Sequence, residues 1–326
     1  MRVTAVSGGI GGARFLRGLV HVLGPDDEVT VIGNTADDIW LFGLKVCPDL
    51  DTVMYTLGGG IDDERGWGRE DESWRAKEEL AAYGIEPTWF GLGDRDLATH
   101  LVRTQMVQAG WSLSAVTTAL CARWLSALRP TVRLLPMSDD RVETHVVIDD
   151  PGGGGRRAVH FQEYWVRLHA EVPAYDVVVV GQADATPAAG VLEAITDCDV
   201  LLLPPSNPVV SVGTVLGVPG VREAVTSTPA PVVGVSPIVG AGAVRGMADQ
   251  LLTALGVEVS ASAVAMRYGA RARGGVLDGW LIDTVDQAQL PVVEAAGITC
   301  RAIPLLMRDL RASASMARAA LDLARP

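Results

Sequence analysis

The sequence predicts an α/β protein built on a Rossmann-like, doubly wound and mostly parallel sheet, with a small, mostly helical inserted domain. Three observations carry that expectation. The chain opens as VTAVSGGIGGARFL (3–16), an apolar strand that breaks on glycines and restarts as a helix. Apolar runs without polar alternation recur at 177–180, 200–203, 232–235 and 276–282, as strands buried on both faces require. Residues 60–130 differ in texture, with helical periodicity and few strand signals.

In chain order, the first unit is strand 3–7, helix 12–23 and strand 29–33. Helical patterns follow at 72–84, 95–110 and 112–128, which sets the expected division: a core of 1–58 and 131–326, and a helical insertion of 59–130. Segments 131–135, 143–148 and 158–165 read as antiparallel strands, the last two joined by Asp149, Asp150, Pro151 and a glycine run. No helix follows that run, so it reads as a hairpin tip and not as a second phosphate loop. Between the later apolar strands, 186–197 and 242–256 read as helices. We find no internal repeat.

Composition limits the function classes. The 326 residues are 48% hydrophobic and 20% charged, the profile of a globular chain, and the formal net charge is −12 with a pI near 4.9. That balance argues against nucleic-acid or anionic-membrane partners, which need a basic face. Cys47, Cys121, Cys198 and Cys300 are far apart with no C-x-x-C pair, which fits reduced thiols in a cytoplasmic protein. The opening strand leads us to expect no signal peptide, and no apolar run reaches membrane-span length.

The first glycine loop narrows the chemistry. A dinucleotide fingerprint built on Gly9 and Gly11 needs a closing glycine or alanine where Arg14 stands, and a P-loop needs a lysine that is absent. What remains is their shared physics: Ser7, Gly8, Gly9, Gly11 and Gly12 let backbone N–H groups approach a phosphate at a helix N-terminus. The alternative is a tight turn with no ligand. At the end of the second strand, Asn34, Thr35, Asp37 and Asp38 meet the sheet's carboxyl edge, and Asp49 and Asp51 follow soon after. Carboxylates crowded beside a phosphate call for a hard divalent cation, and Asp37, Asp49 and Asp51 are the expected ligands of Mg2+. Helix capping by Asp37 or Asp38 and a turn at Asp49 are the structural alternatives.

Further along, Asp94 is placed to cap a helix on which Arg95, Thr99 and Arg103 recur every four residues, a grip for an anion or polar tail. His100, beside them, reads more readily as structural than catalytic. Ser206 and Asn207 sit past another apolar strand, suited to phosphate, ribose or a purine edge, and Trp67 between glycines offers a flat surface. G-x-S-x-G is absent, so covalent catalysis is not expected.

The segments SGGIGGARF, NTADD, CPDLDT, YTLGGG, GWG, LGDRDLATH, LPMSDDRVETHV, HFQEYW, PSNPVVSVG and SPIVGAGAVRGMAD, in this order along nearly the whole chain, resemble the 2-phospho-L-lactate transferase family of coenzyme F-420 biosynthesis. The resemblance implies a Mg2+-dependent homodimeric enzyme. Its reaction moves a phosphoenolpyruvyl or 2-phospholactyl group from a guanosine-diphosphate-linked (guanylylated) donor to the deazariboflavin acceptor and releases GMP. The GGIGGARF and GWG wording is closest to actinobacterial members, taken to use the enolpyruvyl donor. On this resemblance the glycine loop, Asn34, Thr35, Ser206 and Asn207 hold the donor, and Asp49 or Asp51 orients or deprotonates the attacking hydroxyl. Asp94, Arg95, Thr99, Arg103 and Trp67 touch the acceptor or the transferred group. A related branch resembles the transferases in the glycine loop but serves as a nucleotide-sugar-binding regulator; CPDLDT, GDRDLATH and HFQEYW favour the transferase side.

Overall fold

A computed structural model describes residues 1–150, 152–244 and 246–325; Pro151 of the predicted hairpin tip and Arg245 of the segment SPIVGAGAVRGMAD lie outside them. Seven strands form one parallel sheet: β1 (Arg2–Ser7), β2 (Glu28–Gly33), β3 (Thr131–Pro136), β4 (Val200–Leu203), β5 (Val232–Val235), β6 (Gly279–Ile282) and β7 (Thr299–Ala302). Their order is β7-β6-β5-β4-β1-β2-β3. Side chains alternate across a strand, so a sheet covered on both sides demands apolar residues at every position. In β4, Val200 and Leu202 enter one core while Leu201 and Leu203 enter the other. Each such buried side chain contributes roughly 1.5–3 kcal/mol.

The first core holds Phe15, Leu16 and Leu19 of α1 (Gly9–Val22) and Leu50, Val53, Met54 and Leu57 of α2 (Pro48–Gly58). It is closed by Met316, Ala317 and Ala320 of the C-terminal helix Leu310–Leu323. Between α2 and β3 the chain passes through α3 (Arg75–Ala82), α4 (Asp96–Gln108) and α5 (Leu113–Leu125), close to the three helical patterns read from the sequence.

Several expectations need correction. Segment 131–135 is not antiparallel: as β3 it pairs parallel with β2, the helices before it supplying the crossover that parallel pairing needs. The run 177–180 is not a buried parallel strand. It lies in Ala174–Val180, antiparallel to Glu143–Asp149, which also pairs antiparallel with Arg156–His160. Val177 and Val179 face the core while Val178 and Val180 are 43% and 52% exposed, so only one face of an all-apolar run is covered. Segment 158–165 leaves strand geometry after His160 and becomes a wide helical turn, Glu163–Arg167, that buries Tyr164. The helices expected at 186–197 and 242–256 shorten to Val191–Thr196 and Ala248–Ala254, the latter preceded by the hairpin Ile238–Val239/Gly242–Ala243.

Candidate active site

The chain winds from β1 outward to β2 and β3, then returns to the other side of β1 to continue with β4. The switch point thus lies between β1 and β4, where open α/β sheets place their ligands. The loops leaving both strands meet there. A Cβ on Gly11 would stand 2.4 Å from the Pro205 carbonyl, one on Gly12 2.6 Å from Ser206 Oγ, and one on Gly8 2.6 Å from Asp49 Oδ2. The glycines are therefore required in the first place by protein–protein approach. That approach leaves the N-terminus of α1, with no acidic residue in its first turn, facing a cleft of about 350 Å³. The Gly8 N–H donates to Ser206 Oγ at 3.3 Å, while Ser7 Oγ and Thr35 Oγ1 are buried with no hydrogen-bond partner among the described residues. Asn207 lines the cleft, but its Oδ1 is spent on the N–H groups of Val209 and Val210.

Asn34 organises the acidic side. Its Nδ2 donates to Asp37 Oδ2 and to Asp49 Oδ2, both at 3.0 Å, while Oδ1 accepts from Ala36 N–H and the Thr214 hydroxyl. A neutral amide thus bridges two buried carboxylates. Burial, then the charge of Asp49, pushes Asp37 well above the usual carboxylate range; burial lifts Asp49 to about 6 against the opposing bonds from Asn34 and the Gly9 N–H. Asp37 Oδ1 is buried without a partner among the described residues. An oxygen so placed, in a pair that resists ionisation, fits a site that completes itself with a cation. Asp38 differs: Lys45 Nζ sits 3.0 Å from its Oδ2 and the Cys47 thiol donates to the same oxygen. Gln162 Nε2 donates to the Asp37 carbonyl, and His160 Nε2 lies 3.1 Å from the carbonyl of Asp38, so the HFQEYW segment pins this acidic loop.

Asp51 does not join Asp37 and Asp49. Residues two apart on a helix do not share a face, and Asp51 turns toward α4. There Arg103 donates through Nη1 to Asp51 Oδ2 at 3.0 Å and through Nη2 to Oδ1. Burial raises Asp51 despite the opposing charge of Arg103. Asp51, Asp96 and His100 offer ligand atoms within 4.8 Å of one another, a spacing that could hold a metal ion. A fixed cation already stands in that group, however: Arg103 Nη1 is 3.2 Å from His100 Nδ1. A guanidinium only donates, so in the neutral imidazole Nδ1 accepts and the proton sits on Nε2, 3.4 Å from Asp96 Oδ2. The Tyr55 hydroxyl donates to Asp96 Oδ1 at 2.6 Å and lies 2.7 Å from Thr99 Oγ1. Burial works against ionised Asp96, but His100 and Tyr55 prevail and hold it low.

The expected grip along α4 is not assembled. Asp94 caps α3 instead of α4, bonding Ser73 Oγ and the N–H groups of Arg75 and Ala76. Arg95 is half-exposed against the Glu70 carbonyl and Asp71, while Thr99 and Arg103 are buried behind the cleft wall. Trp67 does line the cleft, edge-on to Trp74, with Arg65 over both rings. His100, which the sequence reads more readily as structural than catalytic, also lines it, as do the aromatic Trp165 and two residues not singled out by sequence, Phe90 and Phe161. The signal for His100 was its i, i+4 spacing from Asp96.

Over nearly its whole length the chain is similar to known proteins. Residues 3–297 match the family model described as 2-phospho-L-lactate transferase CofD. A phosphoenolpyruvate transferase of Kitasatospora aureofaciens is 66% identical over 99% of this chain and 98% of its own; one of Mycolicibacterium smegmatis is 55% identical over 99% of each. A crystal structure of a UPF0052-family protein from Bacillus halodurans shares the fold at a TM-score of 0.63 and 17% identity, covering 98% of both chains.

Proposed function

The chain belongs to the 2-phospho-L-lactate transferase family, and from that premise we propose that it moves a phosphoenolpyruvyl group from a guanosine-diphosphate-linked donor to the terminal ribityl hydroxyl of 7,8-didemethyl-8-hydroxy-5-deazariboflavin, releasing GMP. The observation that carries the choice of donor is the shared identity, 66% and 55% at nearly full length, with proteins named phosphoenolpyruvate transferase.

In this reading the donor diphosphate lies against the N-terminus of α1, with Ser7, Gly8, Gly9, Gly11, Gly12, Thr35, Ser206 and Asn207 around it. Asp37 and Asp49 would hold Mg2+, oriented by Asn34; when bound, the ion supplies charge neutralisation at the diphosphate. Asp51 receives the proton of the attacking hydroxyl, and its upward shift suits it to that task. The new O–P bond forms as the P–O bond to GMP breaks, and the enolpyruvyl C–O bond is untouched. The chain's contribution is positioning and exclusion of water, which fits a cleft without an activated nucleophile. Trp67, with Phe90 and Trp165, offers faces for the planar acceptor ring. We further treat 59–130 as a helical insertion on the 1–58 and 131–326 core, and the protein as a cytoplasmic homodimer. Four free, buried cysteines support the location, and among the described residues no helix is long and apolar enough to cross a membrane.

Mass spectrometry of the purified protein with the acceptor, Mg2+ and each guanylylated donor in turn, beside a chelator control, tests the proposal. The expected product is the acceptor plus a phosphoenolpyruvyl group, lost with chelator. A phospholactyl product alone would reassign the donor. No product from either donor, with binding of a nucleotide-diphosphate sugar, would replace the transferase by a regulator.

A further inference from the structure

We infer that Arg103 is a positioning residue that acts on the attacking hydroxyl through Asp51, and is not itself a contact of the acceptor. The inference rests on the transfer reaction proposed above and deepens its account of the acceptor side.

The guanidinium is 2% exposed and absent from the cleft lining, whereas Asp51, Asp96 and His100 all reach the cleft. Its two terminal nitrogens bond both oxygens of Asp51, and Nη1 also faces His100 Nδ1 and, at 3.5 Å, the Lys45 carbonyl. Nε has no partner among the described residues, but it too is buried. The donors are thus directed at the back of Asp51, away from any ligand in the cleft. A two-point bond fixes the plane of a carboxylate, which one charge at the same distance cannot do. That plane needs fixing because Asp51 stands in the first turn of α2, where Asp49, two residues earlier, is held by Asn34 and Gly9 on a different face. The clamp is itself anchored. Asp96 accepts from Tyr55, and His100 Nδ1 faces Arg103 while its Nε2, 3.4 Å from Asp96 Oδ2, makes no hydrogen bond among the described residues, so Tyr55, Asp96 and His100 pack together behind one carboxylate and bring α4 against α2. In-line attack by a hydroxyl oxygen tolerates little misplacement, and an error near 1 Å costs on the order of 10²-fold.

Steady-state kinetics and equilibrium acceptor binding on Arg103→Ala, Arg103→Lys, Asp51→Asn and Asp51→Asn/Arg103→Met test the inference. For Arg103→Ala the expected result is a kcat lower by about 10²-fold with acceptor KM changed less than about threefold, the split that marks loss of transition-state alignment. Added guanidinium restores much of the rate, and Arg103→Lys does not, because a single ammonium cannot make the two-point bond. Should Arg103→Ala fail to fold, the doubly neutral pair removes both buried charges together. It is expected to match Asp51→Asn in residual rate and acceptor affinity, since Arg103 has nothing left to position. A rise in acceptor KM or dissociation constant of about tenfold or more in Arg103→Ala, or in the double variant relative to Asp51→Asn, overturns the inference and restores Arg103 as a contact. So does a loss of rate in folded Arg103→Ala that guanidinium leaves unchanged. Wild-type protein inactive with both donors would overturn the transferase reading instead.

Discussion

Replacing Asp49 by asparagine is expected to make the ligand-free protein progressively more stable than wild type as pH rises. Asp49 is buried, and its pKa rises from 3.8 to about 6 in the folded state. An acid whose folded value lies above its unfolded value favours folding below the unfolded value, and loses that contribution as pH climbs through the folded one. The full cost of holding Asp49 ionised is thus about 3 kcal/mol, of which roughly half falls between pH 5 and pH 7.5. Asparagine removes the charge and keeps an acceptor for Asn34 Nδ2. Whatever it costs in packing or in the Gly9 bond is independent of pH, so the slope is the informative quantity. Relief of Asp37, whose own rise owes part to Asp49, acts in the same direction. Urea unfolding followed by the fluorescence of the eight tryptophans, at intervals from pH 5 to 7.5 without divalent ions, measures the difference. Wild type is expected to lose about 1–2 kcal/mol relative to Asp49→Asn across that range. Added Mg2+ should return much of it to wild type alone, by about 2.7 kcal/mol at a hundredfold excess over the dissociation constant. Parallel pH curves for the two proteins would refute the argument that the Asp37–Asp49 pair is electrostatically uncompensated.

Three further outcomes follow from the geometry. Gly11→Ala drives a Cβ to 2.4 Å from the Pro205 carbonyl, a backbone atom that cannot swing aside; thermal melting should show a loss of about 1–3 kcal/mol, with donor binding weakened alongside. Lys45→Met leaves Asp38 buried and unpaired, for a loss of about 3–5 kcal/mol in urea unfolding, and Asp38→Asn in the same chain should recover most of it. Asp309→Ala removes the side chain that accepts the Ala312 N–H at 2.7 Å and caps the C-terminal helix, lowering stability by about 1 kcal/mol with transfer activity unchanged.

The core of the fold was legible because burial on both faces leaves a local mark. Val200–Leu203 and Val232–Val235 are apolar at every position, and both are parallel strands of the central sheet. Pairing direction leaves no such mark, which is why β3 was placed wrongly, and an all-apolar run does not by itself prove burial on both faces, since Val178 and Val180 of the antiparallel strand Ala174–Val180 are exposed. The glycine loop was legible in outline, but the reason for its glycines was not, since Pro205, Ser206 and Asp49 reach it only in three dimensions. Asp37 and Asp49 come together through Asn34, whereas Asp51 departs, because a D-x-D spacing on a helix sends the two side chains apart. Arg103 illustrates the same limit. Its spacing from Arg95 and Thr99 is regular, yet a regular stripe on α4 runs from the surface into the interior, and its inner end is committed to Asp51.

The carboxylates lining the cleft are compensated unequally, and that inequality assigns their parts. Asp96 accepts from the Tyr55 hydroxyl with His100 Nε2 3.4 Å away, and Asp51 is held by a guanidinium bonded at two points. Asp37 and Asp49 share one neutral amide, which can orient two carboxylates but cannot cancel their charge. A donor diphosphate at the N-terminus of α1 would add further negative charge beside that pair, more than the partial charge of a helix end offsets. The uncompensated position must therefore take up a cation before or together with the donor, or remain protonated. The compensated position at Asp51 is free of that requirement, which is what its proposed role toward an acceptor hydroxyl needs. In the reaction proposed for this chain, the two aspartates of CPDLDT would thus divide the work between charge neutralisation and proton transfer, because α2 turns them toward different partners.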